Sequence, residues 1–222
     1  MEELAHGVWQ LAGFPPNLMN VYLVGDVLVD AATRQSGRRI LRQLKGREVR
    51  AHMLTHAHSD HQGASKEVCE TLGIPFWVGA EDADAAEHPE LIRERQPDHP
   101  VNRFIFKTMA GPGRRVDRRL AEGDEVAGFR LLHTPGHSAG HMAMWRELDG
   151  VLIIGDVLAN MDTLTGVRGL HEPKEFFSPD PALNRDSARR LAALRPNLVL
   201  FGHGPPLHDT MRLAEFVGSL PD

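Results

Sequence analysis

Residues 55–61, Thr-His-Ala-His-Ser-Asp-His, put three histidines and an aspartate into six consecutive positions directly after the strand-like run VRAHMLT. Side chains on a strand alternate faces, so His56 and His58, two apart at a strand end, point the same way toward one ion. The turn that follows redirects Asp60 and His61 toward a second point. Two cations a few Å apart need separate imidazoles and carboxylates to offset their mutual repulsion, and this stretch supplies two adjacent ligand sets. The spacing differs from HExxH, which depends on a helical i,i+4 relation. A chain that carries such a turn is constrained to fold so that distant strand ends bring the remaining ligands to it.

The rest of the sequence supplies those ends. GVWQLAG and NVYLVGDVLVDAA read as strands, with Gly25-Asp26 as a hairpin turn. Thr33 is expected to cap a helix that buries Ile40, Leu41 and Leu44 and stops at Gly46. VRAHMLT leads into the histidine cluster, and a helix with Ala64, Val68 and Leu72 on one face then ends at Gly73. From Phe129 the grammar repeats. RLLHTPG and HMAMWRELDGVLIIGD give strands around an Asp149-Gly150 turn, Asp180-Pro181 opens a helix, and NLVLFGHG is a strand ending in histidine, with a final helix from about Leu207. Each half reads hairpin, aspartate, helix, strand, histidine: Asp30 and His56 in the first, Asp156 and His203 in the second. The expectation is two similar α/β halves packed sheet against sheet, with helices outside. His137, in a Pro-Gly turn after a strand, joins Asp156 and His203 as a ligand candidate where a buried strand meets a loop.

Between the halves, roughly residues 80–123 are polar and rich in Pro, Gly and Arg, with an apolar patch at Phe104, Ile105 and Phe106. This segment is expected to be a lid or helical insertion in an otherwise single domain spanning residues 1–222. A length of 222 residues with 41% apolar composition suffices for a packed core. A net charge of −5 gives no electrostatic reason for a nucleic-acid or membrane partner. The basic cluster Arg114, Arg115, Arg118 and Arg119 is followed by Glu122, Asp124 and Glu125 and reads as a solvated loop. Cys69 is the sole cysteine, which excludes an intrachain disulfide and suits core packing. MEELAHGVWQ has no basic segment leading an apolar one, so the expected location is cytoplasmic.

HAHSDH, a later TPGH, a GD after an apolar strand and a terminal GHG together resemble the metallo-β-lactamase superfamily, over the span Asn20 to His203. The resemblance implies a four-layer αββα sandwich. It also implies that His56, His58 and His137 hold one metal, that Asp60, His61 and His203 hold the other, and that Asp156 bridges them. The implied cofactors are two Zn²⁺, with Fe or Mn as alternatives. The implied activity is a metal-dependent hydrolase in which a metal-bridging hydroxide attacks an ester, thioester, lactone or amide, with Asp60 orienting the hydroxide or shuttling its proton. The alternative class on the same scaffold is an iron-dependent sulfur dioxygenase, which uses the first-site ligands and the bridging aspartate without a full second site; a third is a non-catalytic metal-binding module.

The expected partner is a small-molecule substrate. GFPPNLMN, residues 13–20, is apolar for a loop, so Phe14, Leu18 and Met19 are candidates for one substrate wall, and Phe176 and Phe177 for the opposite one. Glyoxalase II proteins are similar through THxHxDH but add a C-terminal helical region, whereas about 19 residues follow His203 here. Acyl-homoserine lactonases commonly carry a tyrosine three positions after the bridging aspartate; this chain has Ala159. His133 and His141 are expected to support the ligands, and Asp30 to hydrogen-bond at a strand end. His6, His52, His88, His99, His171 and His208 default to ordinary surface or core positions.

Overall fold

The computed structural model describes residues 1–221. The first sheet runs in chain order through β1 (Glu2–Ala5), β2 (Val8–Gln10), β3 (Tyr22–Val24), β4 (Val27–Val29), β5 (Ala51–Met53), β6 (Phe76–Gly79) and β7 (Arg118–Leu120). A two-stranded ribbon pairs β12 (Ala159–Met161) with β13 (Arg168–His171). The second large sheet holds β8 (Glu125–Val126), β9 (Phe129–His133), β10 (Met142–Arg146), β11 (Val151–Gly155) and β14 (Leu198–Phe201), in the order β14-β11-β10-β9-β8.

Period-two alternation decides which side of each strand is covered. Val27, Val29, Ala51 and Met53 of the first sheet share one buried cluster with Phe129, Leu131, Val151, Ile153 and Leu200 of the second, so the two sheets pack face to face. The intervening residues point outward. Leu23 and Leu28 pack with Ile40, Leu44 and Val68 of α1 (Gly37–Leu44) and α3 (Ser65–Leu72). Leu152, Ile154, Val199 and Phe201 pack with Ala188, Leu191, Leu213 and Val217 of α7 (Pro181–Ala192) and α8 (Met211–Gly218). The result is the αββα sandwich that the strand pattern and the resemblance led us to expect.

The two halves are built alike. The antiparallel hairpin β3–β4 and the antiparallel hairpin β10–β11 each feed a helix-bearing connection to a parallel partner, β5 beside β4 and β14 beside β11. Asp30 and Asp156 follow the equivalent strands, and His56 and His203 lie just beyond the equivalent parallel ones. The chemistry of both halves therefore falls at one end of the sandwich.

Three elements differ from the sequence expectation. Helix α1 begins at Gly37, after Thr33 and Ser36 have closed a turn in which the Ser36 N–H donates to the Thr33 carbonyl at 2.8 Å; Thr33 is thus upstream of the helix rather than its cap. The last helix starts at Met211 because Leu207 is held back by an antiparallel bridge to Val199, which buries its side chain against α7 and α8. Residues 80–123 are not all insertion. After α4 (Ala83–Glu87), α5 (Glu90–Arg95) and α6 (Pro100–Met109), residues 118–120 return as β7, parallel to β6. The arginine run read as a solvated loop therefore includes an edge strand, with Arg118 paired to Asp124 at 3.2 Å and Arg119 to Asp84 at 2.7 Å. Cys69 is buried in α3, as expected of a packing residue.

Ile153 has no exposed surface and sits in the cluster shared by both sheets. Ile153→Ala is expected to lower the unfolding free energy by about 2–5 kcal/mol, measured as a shift in denaturant midpoint at unchanged m.

Candidate metal centre

Each candidate ligand is delivered by a break in regular structure. His58 is extended, and its carbonyl accepts from the N–H groups of His61 (3.0 Å) and Gln62 (2.9 Å), which starts the one-turn α2 (Ser59–Gln62). That change from strand to helix turns Asp60 and His61 toward His203, while the His61 ring stays beside His56 with centroids 4.2 Å apart. His137 comes from the β9–β10 connection, Asp156 from the residue after β11, and His203 from the turn after β14. All seven side chains expected to hold metal converge. Three sets have ligand atoms within 4.8 Å of one another: His56, His58 and His137; His56, His61 and Asp156; Asp60, His61 and His203.

The Asp156 carboxylate is the centre of this cluster. Its Oδ2 lies 2.9 Å from His203 Nε2, 3.3 Å from His61 Nε2, 3.6 Å from His137 Nε2 and 4.0 Å from His56 Nε2. Asp60 Oδ2 is 3.4 Å from the same His203 nitrogen. The glycines of the GD and GHG motifs follow from this crowding. A Cβ at Gly202 would fall 1.9 Å from Asp156 Oδ1, and one at Gly155 (φ +56°) would fall 2.5 Å from His141 Nε2.

The opposite ring nitrogens fix the tautomers. Thr55 Oγ1 donates its one proton to Asp30 (2.9 Å), so it must accept from His56 Nδ1–H (3.0 Å), leaving the Nε2 lone pair facing the cluster. His61 Nδ1–H donates to Asp30 (2.9 Å), His203 Nδ1–H donates to the Leu18 carbonyl, and His137 Nδ1 meets Ser178 Oγ at 3.0 Å. His141 Nδ1 meets Thr134 Oγ1 at 2.7 Å, and its Nε2 accepts the Asp156 backbone N–H at 3.0 Å, which anchors the central aspartate. Asp30 and His141 thus do the supporting work that the sequence assigned to them. His133 is farther out, its Nε2 at 2.8 Å from the Ala139 carbonyl.

These contacts test whether cations fit. His56 Nε2, His137 Nε2 and Asp156 Oδ1 are buried without any hydrogen-bond partner, although burying such atoms unpaired is costly. His61 Nε2 and His203 Nε2 face each other at 3.4 Å. Imidazole nitrogens and carboxylates so arranged are the donor set of a zinc or iron site. The fit is good.

Without cations the cluster holds protons unevenly. Burial, reinforced by neighbouring imidazoles, pushes His56 and His137 well below the usual histidine value. Burial also opposes charge on His61 and His203, but Asp156 and Asp30 raise the first well above its usual value, and Asp156 and Asp60 raise the second to about 10. Burial alone would raise Asp60 and Asp156; His203 and His61 instead hold both below the ordinary carboxylate range.

A cleft of about 220 Å³ opens onto His58, Asp60, His137, Asp156 and His203. Met19 and Phe177, expected as substrate walls, line it, as does Leu18. Phe14 does not: its side chain is 82% exposed and is not among the lining residues. Phe176 stacks on His99 with ring centroids 4.1 Å apart. The outer wall is α6, through Val101, Phe104, Ile105 and Met109, so part of the segment expected as a lid does face the site. Two contributors carry no motif. Gln96 lines the cleft, with its Nε2 3.2 Å from His58 Nε2. Asp82, 3% exposed, accepts from the Ala57 N–H (2.9 Å), Ser138 Oγ (2.6 Å) and the Gly140 N–H (2.8 Å), clamping the His56–His58 turn to the His137 turn.

Comparison with known proteins bears on the family and the fold. A sequence profile described as the metallo-beta-lactamase superfamily matches residues 15–203. The probable metallo-hydrolase YflN of Bacillus subtilis (strain 168) is 29% identical over 92% of this chain and 86% of its own. The N-acyl homoserine lactonase of Bacillus thuringiensis is 28% identical over 67% of this chain and 53% of its own. The crystal structure of TTHA1623 in a di-iron-bound form superposes with a TM-score of 0.65 at 30% identity, covering 88% of this chain and 92% of that one. No helix among the described residues is long and apolar enough to cross a membrane.

Gly202→Ala is expected to displace Asp156 and to weaken metal binding about 10–100-fold, read from metal titration of the folded variant. Because His61 and His203 hold protons at pH 7 and only neutral imidazole ligates, metal uptake should release protons, and affinity should rise with pH toward about 10. Calorimetry in buffers of different ionisation enthalpy measures that release.

Proposed function

The chain belongs to the metallo-beta-lactamase superfamily, and on that premise we propose that it is a hydrolase that uses two divalent cations, zinc or iron, to cleave an ester, thioester, lactone or amide in a small molecule. The observation that carries this reading is Asp156 Oδ2 lying between four imidazole nitrogens at 2.9–4.0 Å, with a full ligand set on either side. His56, His58 and His137 would hold one cation, Asp60, His61 and His203 the other, and Asp156 both.

When bound, such a pair supplies Lewis acidity toward a carbonyl and lowers the pKa of a shared water to about 7. The protein's own groups do the rest. Asp60 keeps its carboxylate ionised at the cleft, its side chain 22% exposed, where it accepts a hydrogen bond from the attacking water and orients it toward the substrate. Met19 and Phe177 exclude bulk water beside it, and His141 keeps the Asp156 backbone from shifting as charge develops. Ala159 lines the cleft three residues after Asp156, so no tyrosine hydroxyl assists from that position. The lactonase relative supports acyl bonds as the target class, and the di-iron form of TTHA1623 supports iron as a metal to test beside zinc.

The test is a panel of thioesters, lactones, activated esters, β-lactams and phosphodiesters, run after bound metals have been measured. His58→Ala and Asp156→Ala are expected to lose metal and turnover together, and Asp60→Asn to lower kcat roughly 10²–10⁴-fold. Variants that keep full metal content and full rate would refute the assignment. One iron per chain with oxygen consumption would replace hydrolysis by redox chemistry.

A further inference from the structure

The cleft wall away from the metal-facing groups has an unusual charge balance. Val101, Phe104, Ile105 and Met109 of α6 form one side, and Met161 and Leu164 of the β12–β13 ribbon and its turn lie among the other lining residues. Each charged group lining this part is already engaged within the protein. Lys174 Nζ pairs with Asp162 at 2.6 Å, and Glu172 pairs with Arg185 at 2.7 Å. His171 Nε2 lies 3.3 Å from the Val167 carbonyl, and Asn102 gives its amide protons to the Pro97 and Phe176 carbonyls. No unpaired cation among the described lining residues is left to meet a phosphate or carboxylate there.

Two residues at this cleft are large, apolar and open to solvent: Phe104 is 64% exposed and Leu164 is 52% exposed, on separate elements. One exposed apolar side chain is ordinary; two that line the same cleft from different elements form an apolar entrance. The Leu164 side is also fixed in advance. Asp162 accepts from the N–H groups of Leu164 (3.0 Å) and Thr165 (2.9 Å) while paired with Lys174, so the turn is ordered before any ligand arrives.

We propose that the molecule this site takes carries an uncharged apolar group, alkyl or aryl, that lies between α6 and the β12–β13 turn, and that Phe104, Ile105 and Leu164 set its specificity. The proposal rests on the hydrolase reading for the reacting end of the molecule and adds the chemistry of the other end.

The test separates the two by measuring binding of amides to the protein as isolated. Octanamide, butanamide and suberic acid monoamide share a head group and differ in tail length or in a terminal carboxylate. Octanamide is expected to bind at least about tenfold more tightly than butanamide, each added methylene gaining from burial, and more tightly than suberic acid monoamide. The double variant Phe104→Ala and Leu164→Ala, changed at exposed positions, should lose most of that chain-length preference. Equal affinity for the three, no detectable octanamide binding, or preference for the carboxylate-ended tail would overturn the proposal. So would a dimer that the double variant converts to monomer, since the patch would then serve a second copy of the chain. Failure to hydrolyse any substrate would sink the hydrolase reading while leaving this comparison of tails intact.

Discussion

A single buried carboxylate oxygen surrounded by imidazoles is the constraint around which the molecule is arranged. Placing Asp156 among low-dielectric neighbours costs several kcal/mol unless positive charge meets it. Here His203 and His61, whose charged forms Asp156 favours, meet it at 2.9 and 3.3 Å, while the neutral rings of His137 and His56 turn free nitrogens toward it; the four come from three separate connections of the chain. No one element could supply them. The sandwich brings them together because its two halves repeat the same parallel crossover and so end their corresponding strands on the same side of the molecule.

That side is closed by ties between the sheets rather than by hydrophobic packing alone. The Tyr22 hydroxyl donates to the Phe201 carbonyl at 2.7 Å, and the Asn20 amide donates to the carbonyls of Phe201 (2.9 Å) and Gly204 (2.8 Å), so the first sheet grips the turn that bears His203. Leu18, next to these residues, receives the Nδ1 proton of His203 itself. The loop that lines the cleft is thereby also a support for His203, which explains why residues 18–21 are buried or half-buried despite lying between strands β2 and β3.

Much of this was legible in the sequence. The candidate ligand positions could be picked out because each sits where an apolar strand run meets a turn; the glycines beside two of them are explained only by atoms that crowd in from elsewhere. Asp30 and Asp156 occupy equivalent places in the two halves, yet their tasks differ. Asp30 faces Thr55 and the outer nitrogen of His61, whereas Asp156 faces the inner nitrogens of four rings. Pattern alone shows the equivalence; only the neighbours decide which carboxylate is central. What could not be read depended on contacts distant in sequence. Asp82 sits in an ordinary acidic stretch and gains its importance from groups 25 and 56–58 residues away. Phe14 looked like a wall because its loop is apolar, but the chain turns its ring to solvent and presents Leu18 and Met19 instead.

The position of Asp82 has a consequence for how such a protein can change. Its carboxylate clamps two coordinating turns, and a few residues later the same stretch of chain becomes the helices that form the outer cleft wall. Between those helices and the strand at residues 118–120 the backbone is tied down: the Met109 carbonyl accepts from the Arg34 N–H at 3.0 Å, and the Ala86 carbonyl accepts from the Arg114 N–H at 3.2 Å. A change in the outer helices is therefore felt at the candidate ligands, because Met109 at the end of α6 and Gly63 just after α2 are both held by residues 32–34.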